Sequence, residues 1–103
     1  MVTNAYLVIS REMELTRPSD NWYEPEGCQI PEGTGRLADI VLARSHGHAR
    51  FVFLKKHAWD LGDDLNSIES CRIVEKNIER EPGIVDYEDG LYTRLWKLSE
   101  RLS

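Results

Sequence analysis

The chain opens on an alternation. Between residues 4 and 17, Ala5, Leu7, Ile9, Met13 and Leu15 fall on one side of a period-two pattern, and Tyr6, Val8, Ser10, Glu12 and Glu14 fall on the other. Period two is the signature of a strand, so a strand is predicted over 4–17. Arg11 interrupts the apolar side. A rim position suits it, because an arginine stem can lie on apolar surface while its head reaches water.

Residues 36–55 predict a β-hairpin. Leu37, Ile40, Val41 and Leu42 lie in a first arm near 36–45, Phe51, Val52 and Phe53 in a second near 48–55, and Ser45-His46-Gly47-His48 between them reads as the turn. The first arm also fits a helix ending at Gly47.

The spacing then changes. Ile68, Cys71, Val74 and Ile78 recur at helical intervals, and Asn66 with Glu69 has the form of a capping box. A helix near 67–80 follows, ended by Pro82-Gly83. Ile84 and Val85 suggest a short strand near 84–86. Asp89 is placed to cap a last helix near 90–102, in which Leu91, Leu95, Leu98 and Leu102 share a face and Tyr92 and Trp96 sit one turn apart.

Between the first strand and the hairpin lies a long loop at 18–35, with three of the four prolines and three of the seven glycines. Its Pro25-Glu26-Gly27 and Pro31-Glu32-Gly33 each suit a β-turn. The elements are grouped and do not alternate, which gives an α+β fold: a small antiparallel sheet with one or two helices packed on it. The 103 residues form one expected domain, 1–103.

Charge changes this picture. The net charge is −5, and it is uneven. Residues 60–89 hold ten carboxylates against three basic residues, while 36–56 hold five basic residues against Asp39 alone. An acidic surface repels nucleic acid. It attracts a basic partner and speeds its encounter. The plainer account is a solvated face that keeps the protein soluble. No apolar run reaches the roughly 20 residues of a membrane span, and no basic segment precedes an apolar stretch at the N-terminus. A cytoplasmic location is the expectation; in a reducing cytoplasm Cys28 and Cys71 are free thiols, and a lone disulfide between them is the alternative, requiring Cα atoms within about 7 Å.

Candidate chemistry is sparse. His46, His48 and His57, with Asp60, have the donor types of a zinc site, but a His-Gly-His turn need not converge on anything. Asp60, Asp63 and Asp64 do not follow the ligand spacing of a calcium loop. No nucleophile elbow, phosphate loop or cysteine-protease signature is present. Trp22 and Tyr23, in a polar loop, suit interface anchors; folding back over the sheet is their ordinary alternative.

The sequence therefore points away from an enzyme and towards a non-catalytic protein-binding module without a cofactor. Its expected contact residues are Asp60, Asp63, Asp64, Glu69, Glu75, Glu79, Trp22 and Tyr23. The concrete version is an acidic inhibitor, of the kind viruses and mobile elements encode, that occupies the basic surface of a nucleic-acid-handling protein. A small metal-dependent enzyme or ligand-binding domain built on the histidines is the alternative. Third comes single-strand nucleic-acid binding through the basic hairpin, with Phe51 and Phe53 as stacking residues. The leucine face of helix 90–102 is also a candidate homodimer contact.

Overall fold

The computed structural model describes residues 2–18, 29–62 and 65–101. Its centre is a four-stranded antiparallel sheet whose spatial order, by residue range, is 68–78, 3–10, 38–43 and 83–84. The strands are β1 (Thr3–Ser10), β4 (Ala38–Ala43), β5 (Ile68–Ile78) and β6 (Gly83–Ile84). A separate two-stranded ribbon pairs β2 (Met13–Pro18) with β3 (Gln29–Gly35). The helices are α1 (His46–Lys56), the single turn α2 (Ala58–Leu61) and α3 (Gly90–Glu100). The α+β class is as expected.

Both faces of the sheet are covered. Alternate residues of a strand point to opposite faces, and here adjacent residues join different clusters. Ala5, Ile40, Leu42, Ile78 and Val85 pack with Leu95 of α3. Tyr6, Val8, Val41 and Ala43 pack with Ala49 and Phe53 of α1. The two helices therefore lie on opposite sides of the sheet. This explains the solid apolar run Ile40-Val41-Leu42-Ala43, a pattern typical of a strand buried on both faces. The leucine face of α3 is occupied by its own sheet: Leu95 is fully buried, with Leu91, Leu98, Tyr92 and Trp96 packed around it. Asp89 caps this helix, its side chain accepting from the Leu91 backbone N–H at 2.9 Å.

Several elements differ from the sequence reading. The strand predicted over 4–17 is two strands in two sheets, and the break falls at Arg11, the residue that interrupts the apolar side. There Ser10 Oγ accepts from the Leu37 backbone N–H at 2.8 Å, and Arg11 N–H donates to the Ser67 carbonyl at 2.8 Å. Part of the loop at 18–35 is also strand: Gln29–Gly35, which contains the expected turn Pro31-Glu32-Gly33, pairs with Met13–Pro18, while Pro25-Glu26-Gly27 lies outside the described residues. The register shift of this pairing lies between Leu15 and Thr16, beside Gly33, whose φ of 105° favours glycine.

The second hairpin arm, 48–55, is a helix. Ser45 is its N-cap, and the Ser45 hydroxyl accepts from the His48 backbone N–H at 3.1 Å. Lys55 and Lys56 end the helix, where positive charge suits the dipole. A short run such as Phe51-Val52-Phe53-Leu54 carries no period of its own, and the cap decides the matter.

The helix predicted over 67–80 is strand β5, pairing along β1 from Thr3↔Ile78 to Ser10↔Ile68. Asn66 and Glu69 do not form a capping box; Leu65–Ser67 is one 3-10 turn leading into the strand. The helical spacing was produced by two-sided burial with bulges. Ile68, Cys71 and Ile73 serve the α1 side, and Val74 and Ile78 the α3 side. The register shifts flanking Ala5 allow this, and Asn77 takes a positive φ of 59° nearby. The β-branched residues Ile68, Ile73, Val74 and Ile78 suit a strand better than a helix.

Removing core volume on either face should be costly. Phe53→Ala is expected to lose about 3–5 kcal/mol and Leu95→Ala about 2–5 kcal/mol. Arg11→Ala, at an exposed strand break, should stay within about 0.5 kcal/mol of the parent. Urea unfolding followed by circular dichroism measures all three.

Candidate functional site

The expected acidic contact residues do not form one free surface among the described residues. Glu69 and Glu75 both lie on β5, and each is engaged by an arginine of the same chain. Glu69 pairs with Arg36. Glu75 receives both arms of the Arg94 guanidinium, at 2.6 and 2.8 Å. That bidentate pairing holds the Glu75 carboxyl below the usual glutamate range. Glu79 is exposed just past the strand. Asp60 lies on α2, with its side chain outside the described residues, as are Asp63, Asp64, Trp22, Tyr23 and Cys28. Further along, Arg80 holds Asp89 at 2.8 Å, leaving Glu81, Asp86 and Glu88 exposed in the same region.

The three histidines have three different environments. His46 meets the Tyr6 ring edge-on at 4.8 Å. His48 Nδ1 accepts from the Arg44 backbone N–H at 3.3 Å. His57 Nε2 lies 2.5 Å from Asp39 Oδ2, with its ring tilted against Phe53. Among the described residues no group of three or more His, Cys, Asp or Glu side chains could hold a metal ion. Cys71 is half-buried against the α1-side cluster, and burial pushes its thiol up despite the nearby Arg50.

Two features escape the sequence reading. The first is the outer face of α1. In a strand Phe51 and Phe53 would share a face; in a helix they stand about 200° apart. Phe53 is fully buried, whereas Phe51 is 62% exposed. Beside it Leu65, from the 3-10 turn, is 61% exposed. Together with Gly47, Leu54, Lys55 and Ala58 they line an apolar depression of about 640 Å³. Arg44, Arg50 and Lys55 are exposed on the same part of the chain. The signal was present in Ser45: once it is read as a cap, Ala49 and Phe53 become the inner stripe and Phe51 is forced outward.

The second is Asp39. It is the one acid in the basic stretch 36–56, and it is only 8% exposed. A buried carboxylate needs partners. Lys56 Nζ reaches Asp39 Oδ1 at 3.0 Å, and His57 takes the other oxygen. An acid between Ala38 and Ile40, inside a strand, was the available cue.

Comparison with protein families, with curated proteins and with solved structures finds no match to this chain. No helix among the described residues is long and apolar enough to cross a membrane.

Two outcomes follow from these ion pairs. Asp39→Ala leaves His57 and Lys56 without their acceptor and should cost about 1–3 kcal/mol in urea unfolding, less than a sealed pair because Lys56 can turn to solvent. The Glu75–Arg94 pair contributes stability above the unfolded carboxyl pKa and loses it as pH falls through the depressed folded one. Arg94→Gln should therefore raise the Glu75 midpoint in a carboxyl NMR titration and flatten the acid limb of the stability profile.

Proposed function

We propose that this chain is a non-catalytic protein-binding module that docks through the outer face of α1. The observation that carries this is the exposed pair Phe51 and Leu65, over an apolar depression, on a helix whose other face already packs into the core. Exposed apolar side chains grouped over a depression offer surface that a partner can bury. Burying a side chain of this size is worth about 1.5–3 kcal/mol. Lys55 lines the depression and supplies a positive charge at its edge. The partner this combination fits is a protein segment that presents a bulky apolar side chain beside a carboxylate. A cytoplasmic location belongs to the same reading.

The acidic inhibitor of a basic, nucleic-acid-handling protein is the second reading. The exposed Glu79, Glu81, Asp86 and Glu88 support it. The engagement of Glu69 and Glu75 by Arg36 and Arg94 counts against it.

The two readings separate in one capture experiment with the full chain as bait. Phe51→Glu removes the apolar anchor, and the joint change Glu79→Lys, Glu81→Lys reverses the acidic region; both sites are exposed, so folding is retained. A specific partner lost with Phe51→Glu and kept with the charge reversal supports docking through α1. Phe51→Ala should then weaken it by about 2 kcal/mol, roughly thirtyfold in Kd. The opposite pattern supports the acidic reading. A nucleic acid captured in place of a protein, or no specific partner, overturns both.

A further inference from the structure

A second concavity, of about 470 Å³, opens where the start of β4 meets the end of α1, the connection from β6 to α3, and α3 itself. This is within the range of small-molecule pockets, roughly 300–1,000 Å³. Asp39 and Lys56 lie in its wall, joined by their 3.0 Å hydrogen bond. Tyr92 enters from α3, close enough to Asp39 that the carboxylate charge adds to burial in pushing the phenol up. Ile84 and Val85 give it an apolar side. Asp86 and Tyr87 stand at the rim, with Tyr87 74% exposed.

The charges restrict what can occupy this space. An anion meets the carboxylate of Asp86, and beside it that of Asp39, which Lys56 and His57 already engage. A cation meets the Lys56 ammonium. A molecule carrying both signs meets neither as a net repulsion. Lys56 has three N–H donors, of which Asp39 takes one, so it has donors for a ligand carboxylate, with the Tyr92 hydroxyl nearby. Asp86, whose Oδ1 accepts from the Glu88 backbone N–H at 3.0 Å, has its other oxygen to offer a ligand ammonium at the rim. The apolar side and the exposed Tyr87 ring suit a hydrocarbon or aromatic group.

We infer that this pocket binds a small zwitterion of the α-amino-acid type, with its carboxylate on Lys56, its ammonium on Asp86 and an apolar side chain against Ile84, Val85 and Tyr87. This site is separate from the outer face of α1, and it stands or falls independently of the protein-binding reading.

The test is a titration of the isotope-labelled full chain with L-phenylalanine, followed by backbone amide shifts. Phenethylamine and 3-phenylpropionate serve as the analogues with one charge each. Saturable shifts confined to residues 38–39, 56–57, 84–87 and 92 are expected, with both analogues weaker by about tenfold or more. Lys56→Met should abolish the response. Because that change also disturbs the buried Asp39, Asp86→Asn provides the independent arm: it sits at the exposed rim, keeps the fold, and should weaken binding by about tenfold. Absence of saturable shifts overturns the inference. So does equal binding of either single-charge analogue, or unchanged binding by Asp86→Asn.

Discussion

The structure depends on β1 having no free side. Its two edges are hydrogen-bonded to β4 and β5, and its two faces are covered by helices that approach from opposite directions. A strand in that position must be apolar at nearly every residue, and Ala5-Tyr6-Leu7-Val8-Ile9 is. β4 shares the condition over Ile40–Ala43. With both faces sealed, any charge admitted to this layer has to be satisfied within the protein, and that is the situation of Asp39 between Lys56 and His57. The ion pair is a consequence of where the strand lies.

Legibility followed from how local each signal was. Helix α3 could be read directly because its cap, its leucine stripe and its Tyr92–Trp96 pair all lie within one segment. Strand β1 could be read because alternation survives even when both faces are apolar. Helix α1 was hidden: four consecutive apolar residues fit either state, and the decisive residue, Ser45, looked like part of a turn. Strand β5 was misleading for a different reason. Its side chains serve two cores across bulges, so Ile68, Cys71, Val74 and Ile78 landed at helical intervals by accident of register. Only pairing with a strand some 70 residues earlier distinguishes the two, and no local pattern carries that information.

The same asymmetry governs the candidate sites. Carboxylates could be counted in the sequence, but not the arginines that would reach them. Arg36 and Arg94 come from distant parts of the chain to meet Glu69 and Glu75, so a region acidic in sequence is partly neutralised in space. Conversely, the apolar surface on α1 and the mixed-charge pocket beside Asp39 arise only from tertiary placement. Asp39 and Lys56 are 17 positions apart, and Tyr92 joins them from the far side of the sheet.

The position of β5 also sets an order of events. Both neighbours of β1 are made after it, and the second begins only at Ile68. Until that segment has left the ribosome, β1 has one bare edge and the α3 side of the sheet has no cover. Contacts that span most of the chain are slow to form, because loop closure must precede the gain from pairing. A nascent chain interrupted before residue 68 would present an apolar strand with unpaired backbone, a template for association with other chains. The final third of this protein therefore acts as the closure of its first ten residues, and a shortened version of it would be an aggregation hazard before it was a loss of function.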